Sequence, residues 1–128
     1  MNVWSDSERT RIGAAEEMEI SSRRADGSLR PFVTIWCVGV DKDVIVRSAN
    51  GPQNPWFRRA VASGTGRIRA GGVEADVDFT TLAPTAAVHA RIDAAYHLKY
   101  DRYGPQIVGS VVGGTAAGAT LRLSPTER

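Results

Sequence analysis

Cysteine is all but missing. Cys37 stands alone in 128 residues, which excludes an internal disulfide and any multi-cysteine metal site. It lies inside the apolar run "VTIWCVGV", where a buried packing thiol is expected. Histidine is as scarce: His89 and His97 are eight residues apart, more than two helical turns and too far for one shared ion, so no metal is expected. No stretch approaches the roughly 18 apolar residues of a membrane helix. The start, "MNVWSDSERTRIGAAEE", lacks the apolar region of a secretory signal, so a cytoplasmic place is expected. A serine hydrolase elbow, G-x-S-x-G, is also absent, because "VGSVV" lacks the second glycine.

Lysine occurs only at Lys42 and Lys99, so the positive charge is carried almost wholly by arginine, the better fork for phosphate and carboxylate. Carboxylates interleave with these arginines and the net charge is only +2, so no basic stripe of the kind that nucleic acid needs is visible. A 42% hydrophobic and 23% charged chain of this length fits one domain, residues 1–128, with an ordinary core.

Ser5 and Glu8 have the spacing of a capping box, and a short helix is expected to about residue 16. "EMEISSRR" alternates as a strand, and "ADGS" turns it into the β-branched, aromatic run "RPFVTIWCVGV". Apolar residues on both faces of that run predict a central strand, covered by the core and by a helix or a second subunit. "VIVRSA" follows, with Val44, Val46 and Ser48 on one face and Ile45, Arg47 and Ala49 on the other. Asn54 and Pro55 suit a helix start, with a helix to about Ser63 whose inner side is Trp56, Ala60 and Val61. Gly71-Gly72 predicts a two-residue hairpin turn that sets Arg69 opposite Glu74 and Arg67 opposite Asp76. Pro84 to about Tyr103 reads as the longest helix, with Val88, Ile92, Ala95 and Tyr96 as its stripe, followed by a flexible "GGTAAG" and a last strand, "ATLRLS". Several hairpins with helices at the edges make a mainly β chain, a small antiparallel barrel or strongly curled sheet.

For chemistry, Arg67 and Arg69 have cross-strand carboxylates, whereas Arg47 has no such local partner. Ser48, Asn50 and Gly51 follow it with a hydroxyl, an amide and open backbone N–H groups, and a helix begins at Pro55, which together make an anion-binding composition. A strand end and a capped helix are the structural alternative. Asp93 stands at i+4 from His89 and at i−4 from His97, so it can pair with either. Tyr96, His97 and Tyr100 are secondary candidates for acid/base groups.

The order of these elements resembles a known group. "DVIVRSANGPQNPWFRRAVASGTGRIRAGGVEADVDF" is similar to the part of deazaflavin-dependent nitroreductases where a strand ends in serine, a Gly loop follows, and a Pro-x-Trp/Trp-aromatic helix precedes two strands. Nearly the whole chain, through "RRADGSLRPFVTIWCVGV" to "IDAAYHLKYDRYG", resembles an uncharacterised bacterial family of the FMN-binding split-barrel superfamily. The resemblance implies a six-stranded antiparallel split β-barrel with flanking helices, a homodimer, and FMN or deazaflavin in a groove near the subunit interface, transferring hydride to a small organic substrate. Carried onto this chain, Arg47, Ser48 and Asn50 would contact phosphate and Trp56 would pack the loop, with Arg30 and Thr34 meeting phosphate and ring edge. The family pattern departs at Phe57, Arg58 and Arg59, where the nitroreductases have an aromatic, His and Asn. Arg58 and Arg59 are therefore expected to be solvated or interfacial. A cofactor-free small-molecule binder or isomerase using the same groove, with Tyr96, His97 or Tyr100 as anchors, and a purely structural dimerisation domain are the alternatives.

Overall fold

The computed structural model describes residues 3–126. Helix α1 spans Asp6–Ala14, and the Ser5 hydroxyl accepts from the Glu8 N–H while the Glu8 carboxylate accepts from the Ser5 N–H, the expected capping box. Strand β1 (Met18–Ser22) turns through Gly27 into β2 (Val33–Ile35) and β3 (Cys37–Val40), and β4 (Asp43–Arg47) follows. Helix α2 is Pro55–Ser63, β5 is Thr65–Ala70, β6 is Val73–Thr81 and α3 is Val88–Tyr100. The last part holds α4 (Pro105–Val108), α5 (Gly114–Ala117) and β7 (Thr120–Pro125). Short helices thus occupy "PQIV" and "GTAA", the second within the "GGTAAG" expected to be a flexible loop.

All seven strands form one antiparallel sheet in the order β2-β1-β5-β6-β7-β4-β3. Its two ends, β2 and β3, are consecutive in the chain and separated by Trp36 alone. One interrupted strand therefore pairs with β1 by its first half and with β4 by its second, which closes a split barrel. Counted as one, it restores the six strands expected. The β5–β6 register is the one predicted around Gly71-Gly72, whose φ angles of 57° and 81° are those of a type I′ turn. Arg67 meets Asp76 at 2.9 Å and Glu74 at 3.3 Å, and Arg69 meets Glu74 at 3.4 Å.

Alternation along β4 divides the apolar residues into two cores. Val44 and Val46 point into the barrel with Met18, Ile20, Ile68 and Leu121, while α1 supplies Ile12 and α2 supplies Phe57 and Ala60. On the outer face, Val38, Val40 and Ile45 pack under Ile92, Tyr96 and Tyr100 of α3. Cys37 is buried in the inner core, and burial pushes its thiol up, as suits a packing residue. Two expectations are corrected. The inner side of α2 is Phe57 and Ala60, with Trp56 half-buried and Val61 at 46% exposure. The run "VTI" is not covered on both faces: Val33 and Thr34 of β2 are exposed.

Candidate functional site

Arg47 leaves β4 on the outer face, where α3 and the segment after it cover it completely. Its Nε donates to Thr120 Oγ1 at 3.0 Å, one Nη donates to Val111 O at 2.9 Å and pairs with Asp93 Oδ1 at 2.5 Å, and the other donates to His89 Nδ1 at 2.9 Å. With Nδ1 as acceptor, the His89 ring carries its proton on Nε2, which donates to Ala83 O at 2.8 Å. This corrects the expectation that Arg47 is unpartnered, and Asp93 pairs with neither histidine but with Arg47; His97 pairs instead with Asp101 at 2.7 Å. A guanidinium removed from water needs acceptors for its five N–H groups, and these long-range partners provide four.

Ser48 is likewise sealed. Its hydroxyl donates to Gly51 O at 2.7 Å and accepts from Asn54 Nδ2 at 2.8 Å, so the loop is held by its own side chains. Asn54 spends its amide there and makes no side-chain cap on α2. Asn50, exposed with a φ of 62°, donates its N–H to Ser110 O at 2.9 Å and ties the loop to the segment 109–111.

Beside this loop lies a cleft of about 280 Å³, bounded by Val33, Thr34, Ile35 and Trp36 on one side, by Trp56 and Asn54 on another, and by Ile107, Ser110 and Val111 above. Arg47 contributes to its floor. Val33 and Trp56 also border a small neck of about 20 Å³ between Arg30, Arg59 and the serines of β1, Ser21 and Ser22. On the other side of Arg30 and Arg59 lies a groove of about 990 Å³ between the β1–β2 turn and α2. Among the described residues, that groove is lined by Arg23, Arg24, Arg30, Arg58 and Arg59 and by no carboxylate.

The charges in the groove are unevenly satisfied. Arg23 pairs with Asp76 at 2.8 Å, and Arg24 donates to Ser28 Oγ and to Leu29 O. Among the described residues, the side chains of Arg30, Arg58 and Arg59 have no hydrogen-bond or ion-pair partner, and the Arg30 Nε is buried without one. Helix α2 has no acidic residue in its first turn and carries Arg58 and Arg59 near its N-terminus, the opposite of the sign its dipole favours. Arg58 and Arg59, expected to be solvated or interfacial, thus join the hairpin arginines to make one concentrated positive surface.

Of the residues singled out in the sequence, Arg47, Thr34 and Trp56 line the cleft and Arg30 lines the neck and the groove. Ser48 and Asn50 line none of the three. Tyr96 and Tyr100 are fully buried behind the cleft, where burial raises both phenols well above their ordinary range. Tyr100 stacks on Trp36 at 4.0 Å and 5°, so it supports a cleft wall without reaching it. His97 is exposed on the far side of α3. Sequence reasoning missed Trp36 and the groove arginines Arg23, Arg24, Arg58 and Arg59. The signal for the last two was their placement at a helix N-terminus against its dipole. Among the described residues no group of three or more His, Cys, Asp or Glu side chains could hold a metal, and no helix is long and apolar enough to cross a membrane.

A family profile described as "Uncharacterized protein conserved in bacteria (DUF2255)" matches residues 8–123. No curated protein matches the chain. Among solved structures, the heme storage protein HutZ of Vibrio cholerae aligns over 100% of this chain and 93% of its own, with a TM-score of 0.66 at 12% identity. An F420 reductase aligns over 97% of both chains, with a TM-score of 0.55 at 12% identity. An FAD-binding protein of Mesorhizobium loti aligns over 98% of this chain and 92% of its own, with a TM-score of 0.55 at 16% identity. At these identities the likeness is one of fold, and it agrees with the split barrel built above.

Proposed function

The chain belongs to the DUF2255 family of proteins conserved in bacteria, and from that premise we propose that it binds a flavin-type cofactor, FMN or deazaflavin, and reduces a small organic substrate. One observation carries the reading: a cleft walled by Trp36 and Trp56 shares Val33 and Trp56 with a small pocket at Arg30. A planar-walled cleft with a cationic side chain at its edge matches a ligand with a flat ring and an anionic group. The names of two structural neighbours, an F420 reductase and an FAD-binding protein, agree with it. When bound, such a cofactor supplies hydride transfer.

The chain's own residues bind and shield. Trp56, Trp36 and Ile35 would flank the ring and exclude water, Thr34 would offer its hydroxyl to the ring edge, and Arg30 would fork onto the first phosphate with its unpaired Nε. Arg47 supports the cleft floor, and Ser48 and Asn50 fix the loop behind it. Among the described residues no His, Cys, Met or Tyr lines cleft, neck or groove, which favours a ligand held by stacking and charge. Titration of the purified protein with FMN and with a deazaflavin should quench tryptophan emission, with Trp56→Ala weakening binding about tenfold. Failure of both to bind at saturating concentration rejects the reading.

The same cleft opens beside an apolar surface that includes Val33 at 38%, Tyr103 at 44% and Ile107 at 50% exposure. A homodimer across β2 would cover that surface and close the cleft. Sedimentation should therefore give a mass of two subunits, and Val33→Asp should shift it to one; a wild-type mass of one subunit would refute the dimer.

A further inference from the structure

We propose that Lys99 is an acylation site: its amine, which borders a pocket between α1, β3 and α3, takes a short activated acyl group from an acyl phosphate or a thioester. The pocket shares no residue with the tryptophan cleft or the arginine groove, and the site stands independently of the flavin reading.

The pocket has a volume of about 350 Å³; α1 supplies Arg9 and Thr10 to its walls, β3 supplies Val38, and α3 supplies Ala95, Leu98 and Lys99. An ammonium is ordinarily left in water or given a carboxylate. Lys99 has neither in full. It is half-buried, its Nζ donates to Cys37 O at 2.6 Å and lies 3.7 Å from Cys37 Sγ, and among the described residues no carboxylate pairs with it. The other charged side chains in the pocket are engaged elsewhere, Arg9 with Asp6 and the Trp4 carbonyl, and Asp41 with Arg91 at 3.1 Å. Removal from water outweighs the opposing pull of the Cys37 thiol and lowers the amine from its ordinary value, so more of it is in the neutral, nucleophilic form than in an exposed lysine.

Leu98 points to the acyl group. At 91% it is the most exposed large apolar side chain among the described residues, and it stands in this pocket with Ala95 and Val38, where a short acyl chain would cover it. Acyl transfer asks only for a free amine and a good leaving group. Among the described residues the pocket has no histidine and no unengaged carboxylate to serve the dehydration that a Schiff base would require. In the step, the Nζ lone pair attacks the acyl carbon and an N–C bond forms. The C–O bond to phosphate, or the C–S bond of the thioester, breaks, and the leaving group takes the bonding pair and the proton lost from the amine. The amide product is uncharged, which removes the cation that lies 5.1 Å from the centre of the Tyr100 ring, the ring that backs Trp36.

The chain carries its own reference, because Lys42, exposed in the turn between β3 and β4, is its one other lysine. Full-length protein is incubated with acetyl phosphate in one arm and acetyl-CoA in another, and acetyl at each lysine is followed by peptide mass spectrometry. Lys99 should gain acetyl at least about threefold faster than Lys42 near pH 7, and the ratio should shrink toward about pH 10 as both amines lose their protons. Leu98→Asp, checked for its fold by circular dichroism, should slow Lys99 by about threefold or more and leave Lys42 unchanged. Denaturing urea should abolish the preference. Reaction with one donor alone names that donor as the source, and reaction with both names the acyl group itself as what the pocket takes. Lys42 reacting as fast as Lys99 or faster near pH 7, no acetyl at Lys99 from either donor, or a preference for Lys99 that survives in urea would overturn the site.

Discussion

Replacing Arg47 by alanine should lower stability by about 3–5 kcal/mol, the cost of emptying a large buried site and leaving its acceptors unpaired. The side chain is fully enclosed, so the substitution leaves a cavity as well as stranded acceptors: Val111 O, Thr120 Oγ1 and the Nδ1 of His89. For a domain of this size the melting temperature should fall by roughly 10–20 °C. The same guanidinium holds Val111, and Asp93 also accepts from the Gly113 N–H at 3.3 Å, so the network anchors the segment that forms the upper wall of the cleft. Loss of ligand binding should accompany loss of stability, and proteolysis should become faster within residues 105–118. Arg47→Met keeps most of the volume and should lose less stability than the alanine variant. A melting temperature for Arg47→Ala within about 3 °C of the wild type would show that the network is not a structural anchor.

That network also shows where reading the sequence ends. Arg47 could be placed on the outer face of β4 from its alternation with Ile45, because a strand's period is short-range information. Its partners lie 46, 64 and 73 residues away, on α3, after α4 and on β7, so its apparent isolation in the sequence carried no information about its environment. The hairpin at Gly71-Gly72 was legible to the residue, since a two-residue turn leaves one register open. The capping box at Ser5 was legible for the same reason of locality. The interruption of the strand at Trp36 was not, because it follows from barrel closure: one stretch must leave β1 and reach β4. The positive groove was hidden in the same way. Arg23, Arg24 and Arg30 and the pair on α2 are diluted by carboxylates along the chain, and only the packing of α2 beside the first hairpin brings them together.

Gly66→Ala should be among the most damaging single-methyl additions to this chain. Gly66 lies within β5, paired with Ser22 of β1 on one side and with Val77 of β6 on the other. A Cβ there would stand 1.9 Å from the Ser21 carbonyl oxygen and 2.8 Å from the edge of the Phe79 ring. The ring can turn, but the oxygen belongs to the backbone of a paired strand and can retreat only if β1 parts from β5. Because β1 also carries β2, the neck serines and one wall of the cleft depend on that contact. We expect a loss of about 3 kcal/mol or more, at or beyond the upper end of ordinary overpacking, with most of the protein insoluble on expression at 37 °C. Gly13 provides the control: it lies in α1, a Cβ there meets nothing within 4 Å, and Gly13→Ala should raise stability by about 0.5–1 kcal/mol. Urea denaturation of both variants compares them directly. Equal midpoints for the two would mean that β1 and β5 do not approach as closely as the barrel requires, and with that the closure at Trp36 would have to be redrawn.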